Sequence, residues 1–204
     1  MAVKMIFVRH GETAWNRVER FRGQYDIPLN ETGMEQAKKT GQQIVKRWRP
    51  AAVYSSPLAR ARQTAERIAA ACGLAVEPEI GITDIDYGDW QGLTPDAARE
   101  RWPKSVENWF RLPGTVHFPN GDRLIDVQQR ALTTFSELTE RHDNQEIVLI
   151  SHTVVIRALL LGLLEADLNR LWHIGQEPCA INVIDYSTER TIIESINCVD
   201  HLMD

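Results

Sequence analysis

The chain has 204 residues, 43% hydrophobic and 25% charged, a composition that suits one globular domain with an ordinary core. Its formal net charge of −5 argues against non-specific nucleic-acid binding, although a local group of arginines can still set the field in a cleft. Cys72, Cys179 and Cys198 form no CxxC and fit reduced thiols in a cytoplasm, and no apolar run reaches the ~20 residues of a membrane span or has the shape of a signal peptide.

Residues 3–8 are an apolar run ending in Arg9-His10-Gly11, which predicts a buried strand opening into a loop. Asn30 is placed to cap a helix whose inner face carries Ala37, Ile44, Val45 and Trp48, and Pro50 stops it. Residues 51–55 read as a second strand closed by Ser56-Pro57, followed by a helix over 58–71 with Gly73 past its end. Residues 76–90 read as short extended pieces with turns at Pro78, Gly81 and Gly88.

Residues 94–121 hold Trp102, Trp109, Pro103, Pro113 and Pro119, and read as an irregular, partly helical excursion forming a cap over one end of a sheet. An amphipathic helix over 122–141 follows, with Val127, Leu132, Phe135 and Leu138 inward and Asp122 suited to its positive end. A third strand over 146–150 ends at Ser151-His152, before a helix over 154–164. Residues 180–186 and 191–196 read as a terminal strand pair that offers an edge for a homodimer. The alternation predicts a three-layer α/β/α sandwich, a single domain over 1–204 with a mostly parallel central sheet and an antiparallel edge.

Three strand-to-helix junctions end in polar residues: Arg9-His10-Gly11, Ser55-Ser56-Pro57 leading to Arg60, and Ser151-His152. Ligands of open α/β sheets sit beyond the carboxyl ends of the strands, so these loops can converge on one pocket. Two histidines and two arginines there make a candidate phosphate site. Guanidinium forks match phosphate oxygens, and a neutral imidazole is a competent nucleophile near neutral pH.

Val8-Arg9-His10-Gly11-Glu12-Thr13 with Asn16 resembles the signature of the histidine phosphatase superfamily, the phosphoglycerate mutase-like family. Further blocks are similar in the expected order: residues 20–33 with Asp26-Ile27-Pro28-Leu29, residues 55–65 with Arg60 and Gln63-Thr64-Ala65, residues 84–92, and Ser151-His152. The resemblance implies a phosphoglycerate mutase-like fold and a nucleophilic His10 that is phosphorylated on a ring nitrogen. It implies that Arg9, Arg60 and His152 clamp the phosphoryl group without a metal or other cofactor. Asn16, Arg22, Gly23 and Thr153 would be substrate contacts. The implied partner is a small phosphorylated metabolite. His117, His142, His173 and His201 lack metal-ligand spacing, with His117 the one nearest the action because it lies in the cap; Arg62 reads as a solvated helix residue.

The sequence departs from the family's pattern at three places. The family's proton-donating Glu is replaced by Asp84, shorter by about 1.5 Å of reach. Asp86 is a rival, since alternate residues of an extended segment share a face. A general acid must hold its proton near neutral pH, and the substrate phosphate supplies the negative charge that favours this. Thr153 stands where relatives often have Gly, and Asn120-Gly121-Asp122-Arg123 replaces a G-G-E-S segment. The short cap favours a metal-independent phosphatase of small phosphomonoesters over a cofactor-dependent phosphoglycerate mutase or a non-catalytic phospho-ligand-binding domain.

Overall fold

The computed structural model describes residues 2–16, 18 and 20–203. Six strands make one sheet: β1 (Ala2–Arg9), β2 (Ala52–Ser55), β3 (Val76–Pro78), β4 (Gln145–Ser151), β5 (Ile181–Ser187) and β6 (Thr191–Cys198). Their order is β3-β2-β4-β1-β5-β6. β1 to β4 run parallel to one another, and β5 and β6 add an antiparallel edge beside β1, as the chain-order pattern predicts.

Side chains alternate across a strand, and β1 is apolar on both faces. Met5 and Phe7 join one core cluster with Val127, Ala131 and Leu138 of α5 (Leu124–Arg141) and Ile156 and Leu159 of α6 (Thr153–Leu163). Ile6 and Val8 join a second cluster with Ile44 of α1 (Glu31–Arg47) and Ala61, Ala65 and Ile68 of α2 (Ala59–Cys72). The sheet is therefore the middle of three layers.

Local chemistry sets the element ends. Asn30 Oδ1 accepts from Gly33 N at 2.8 Å, capping α1, and Gly73 closes α2 at φ 69°. A Cβ on Gly11 would lie 2.6 Å from the Gly33 carbonyl oxygen. The glycine after His10 thus lets the β1 loop press against the start of α1.

The structure sharpens two expectations and moves the start of a third element. Residues 76–78 are a true parallel strand, β3, held by pairing with β2 rather than by any apolar pattern of their own. Residues 94–121 are largely helical, with α3 (Pro95–Arg101), α4 (Pro103–Arg111) and a 3-10 turn at Pro113–Thr115. Thr94 caps α3 and proline opens each helix, where its missing N–H costs nothing. The helix expected from Asp122 begins at Leu124, and Asp122 Oδ2 instead accepts from Asp86 N at 2.9 Å.

Candidate active site

Parallel register brings the three polar junctions to one end of the sheet. Arg9 pairs with Ser151 and Ser55 with Ile150, so the loops beyond β1, β2 and β4 leave side by side. His10 N donates to the Ser151 carbonyl at 2.9 Å, and Ser56 N to the Ile150 carbonyl at 3.0 Å. The His10 and His152 rings stand 5.2 Å apart, tilted by 55°.

His10 Nδ1 lies 2.7 Å from the Gly11 carbonyl oxygen. A carbonyl only accepts, so Nδ1 carries the proton and Nε2 keeps its lone pair. Burial, then the Arg60, Arg9 and Arg22 charges, hold His10 well below the ordinary histidine value of 6.5. The imidazole is therefore neutral at physiological pH.

His152 is tied differently. Its Nε2 lies 2.8 Å from Ser56 Oγ, which also accepts a long bond from Leu58 N. Among the described residues, that ring nitrogen is the acceptor paired with the Ser56 hydroxyl. That assigns the proton of the neutral ring to Nδ1, 3.4 Å from Asp84 Oδ2 without a hydrogen bond to it. Burial and then Arg60 also push His152 well below 6.5.

Arg60 is fully buried. Its Nη2 donates to Asp84 Oδ2 at 2.8 Å and to the Gly23 carbonyl at 2.7 Å, and its Nη1 to the Tyr25 carbonyl at 2.9 Å. Arg9 Nη1 donates to the Gln176 carbonyl. Burial and then Arg22 lower the Arg9 guanidinium to about 10, so it stays charged at neutral pH. Arg22 Nη1 donates to Asn16 Oδ1 at 2.7 Å.

Among the described residues, five buried side-chain nitrogens lack a hydrogen-bond partner: Arg9 Nε, Arg60 Nε, His152 Nδ1, Arg157 Nε and Trp90 Nε1. Unmade buried donors are costly and uncommon. Three of these belong to the residues singled out as a phosphoryl clamp.

A cavity of about 180 Å³ opens against His10, Arg22, Gly23, Asp84 and Thr153. Its far wall is aromatic: Tyr87, Trp109, Phe110 and Trp172. Phe118 makes edge-to-face contacts with Tyr87, Trp90 and Trp109, with centroids 4.9–5.0 Å apart.

The predicted residues fall into two groups. His10, Arg22, Gly23, Asp84 and Thr153 line the cavity, while Arg9, Arg60 and His152 stand buried directly behind them. Asn16 does not line it. Its Oδ1 is occupied by Thr13 N, Thr13 Oγ1 and Arg22, so Asn16 holds Arg22 in place. Asp86 is turned away, with Oδ1 accepting from Gly88 N at 2.7 Å; the shared face expected of Asp84 and Asp86 is lost because the segment turns rather than extends. His117 is exposed outside the cavity, and Arg62 pairs loosely with Glu66 on the surface.

Ser56, Thr64 and Tyr87 lie in the motif blocks, but the sequence assigns them no role of their own. Thr64 Oγ1 accepts from Gly11 N at 3.0 Å and donates to the Arg60 carbonyl at 2.8 Å, tying the His10 loop to α2. The Gln63-Thr64 pair beside Arg60 was the available signal, since Gln63 Oε1 accepts from Leu29 N at 2.9 Å in the same way.

The histidine phosphatase superfamily (branch 1) matches residues 5–199. The chain is 38% identical to phosphoserine phosphatase 1 of Hydrogenobacter thermophilus, over 98% of this chain and 94% of that one. It is 30% identical to the metal-independent phosphoserine phosphatase of Arabidopsis thaliana, over 98% and 83%. Among solved structures, Bacillus stearothermophilus YhfR superposes with a TM-score of 0.92 at 28% identity, covering 98% of this chain and 99% of that one.

Proposed function

Since the chain belongs to the histidine phosphatase superfamily and is a phosphomonoesterase, we propose that it hydrolyses small phosphorylated metabolites through a phosphohistidine on His10 Nε2. One observation carries this reading. Unpartnered buried donors on Arg9, Arg60 and His152 accompany a neutral imidazole that lines the cavity and has Nδ1, not Nε2, committed to a carbonyl. A phosphoryl group beside His10 supplies the acceptors these donors lack.

In the first step the Nε2 lone pair attacks phosphorus in line, and the P–O bond to the alcohol breaks. Asp84 gives the leaving oxygen its proton. In the second step Asp84 takes a proton from water, the P–N bond breaks, and inorganic phosphate leaves. Two guanidinium groups and the His152 N–H stabilise charge on the equatorial oxygens, and Arg22 adds a third cation at the cavity wall. The 180 Å³ volume is below the ~300–1,000 Å³ of sites for drug-sized ligands and suits a compact substrate, in keeping with relatives named for phosphoserine. Residues 94–121 act as the cap, placing Trp109 and Phe110 over the leaving group.

The positive charge needed is present in side chains, so turnover of p-nitrophenyl phosphate is expected to persist in excess EDTA. Loss on chelation with recovery on adding Mg²⁺ would overturn the mechanism.

Ser56 sets the His152 tautomer in this scheme. Ser56→Ala frees Nε2 to take the proton and turns a lone pair toward the phosphoryl oxygens. The expected result is a fall in kcat of about 10- to 100-fold, recovered in part by Ser56→Thr, which keeps a hydroxyl. An unchanged kcat and pH profile in Ser56→Ala would remove the serine from the scheme.

A further inference from the structure

Arg9 is gripped from behind by the loop that enters β5. Its Nη1 donates to the Gln176 carbonyl, its backbone N–H donates to the Ala180 carbonyl at 3.2 Å, and its own carbonyl accepts from Cys179 N at 3.1 Å. A pair of side-chain amides fixes that loop. Gln176 is 3% exposed and Asn182, on β5, is wholly buried. Gln176 Nε2 donates to Asn182 Oδ1 at 2.5 Å, and Asn182 Nδ2 returns a bond to Gln176 Oε1 at 3.1 Å. Asn182 Nδ2 also donates to the Phe7 carbonyl at 3.2 Å, and its Oδ1 accepts from Asn197 N at 2.9 Å. Both donors and both acceptor positions of the Asn182 amide are thus used.

We propose that Asn182 and Gln176 are positioning residues for the phosphoryl clamp, their paired amides holding the Gln176 carbonyl where it fixes Arg9 Nη1 and leaves Arg9 Nε for the phosphate. The proposal rests on the phosphatase reading.

Buried amides are costly unless every donor and acceptor is answered, and apolar side chains would fill the same space without that demand. Here the demand sets a geometry. Asn182 is tied to β1 through Phe7 and to β6 through Asn197, so it is a fixed point to which the loop is fastened. β6 is irregular opposite it: Ile181 pairs with Cys198 and Val183 with Ser195, and Asn197 takes φ 56°. Asn197 N thereby reaches Asn182, while Asn197 Oδ1 accepts from Glu177 N at 2.6 Å. The loop is therefore held at Gln176 and again at the next residue. The partner it offers Arg9 is a carbonyl. A carbonyl grips Nη1 without cancelling the charge, whereas a carboxylate in its place would compete with the phosphate. Arg9 Nε stays buried and unpartnered.

A double-mutant cycle tests this. Gln176→Met removes the side-chain amide and keeps the main-chain carbonyl. It is expected to lower kcat/KM for p-nitrophenyl phosphate by about 10-fold or more, and to weaken binding of inorganic phosphate, read by calorimetry, by a similar factor. In an Arg9→Lys background, which lacks the guanidinium being held, the same substitution is expected to cost less than about 2-fold on both readouts. Gln176→Glu keeps the size but sets an acceptor against Asn182 Oδ1, and it carries the same cycle where Gln176→Met does not fold. Equal fractional losses in both backgrounds would show that the amides support the fold without acting through Arg9, and would overturn the proposal. Parent-like turnover and phosphate binding by both Gln176 variants would overturn it as well. In either case turnover by the parent leaves the phosphatase reading standing. A parent protein that hydrolyses no ester, p-nitrophenyl phosphate included, would instead bring down that reading and the positioning role with it.

Discussion

His10→Ala is expected to lower kcat by at least about 10⁴-fold, equivalent to roughly 5 kcal/mol of transition-state stabilisation, and to abolish the phosphoenzyme. Two histidines face each other, so the assignment rests on their ring nitrogens. His152 has Nε2 against Ser56 and is not part of the cavity wall. His10 is part of that wall and has Nδ1 committed to the Gly11 carbonyl, which leaves Nε2 free. Burial among arginines opposes its protonation, so the lone pair persists as pH falls below 6.5. Rapid quench with ³²P-labelled substrate should trap an acid-labile, base-stable adduct on the peptide containing His10. Label on the His152 peptide would exchange the two roles, and undiminished turnover by His10→Ala would end the mechanism.

The parts of this site that were legible in the sequence are those set by the backbone's order. Apolar runs at 3–8, 51–55 and 146–150 end in Arg9-His10, Ser55-Ser56 and Ser151-His152, and parallel pairing then makes their convergence unavoidable. Asn30 and Gly73 marked helix ends because their local chemistry depends on a few neighbouring residues. β3 was not legible as a strand, because Val76-Glu77-Pro78 has no periodicity and owes its extended form to β2.

Side-chain partnerships across long separations were also hidden. Ser56 and His152 are 96 residues apart, and nothing in either neighbourhood announces their bond. Tyr87 reads as one more aromatic before Gly88-Asp89-Trp90; only the folded chain shows it lining the cavity. The Asp86 rivalry arose from applying strand periodicity to a segment that is turned. Gly88 has φ 51°, and the Asp86 backbone is held by Asp122 on one side and its side chain by Gly88 on the other. Asn16 was expected at the phosphate from its place after the first motif, but a side chain pointing at an arginine cannot be distinguished in sequence from one pointing at that arginine's ligand.

Asp84→Asn is expected to slow alkyl phosphates by about 10²- to 10⁴-fold while slowing p-nitrophenyl phosphate by less than about 10-fold. An alkoxide needs a proton to leave, whereas p-nitrophenolate departs without one. Of the two nearby acids, Asp84 lines the cavity and Asp86 does not. Arg130 Nη1 donates to the Gly81 carbonyl at 2.8 Å and Nη2 to the Asp84 carbonyl at 3.1 Å, fixing the turn from which the carboxyl projects. Asp84 Oδ2 accepts from Arg60, and phosphate oxygens compete for that guanidinium. In the proposed mechanism, substrate binding frees Oδ2 to share a proton with the leaving oxygen. Asparagine keeps the size and an acceptor for Arg60 but cannot donate a carboxyl proton, and loss of the negative charge should tighten phosphate binding, so KM falls as kcat falls. Equal slowing of alkyl and aryl esters would mean that Asp84 orients Arg60 rather than moving a proton, and the protonation step would then need another donor in the cavity.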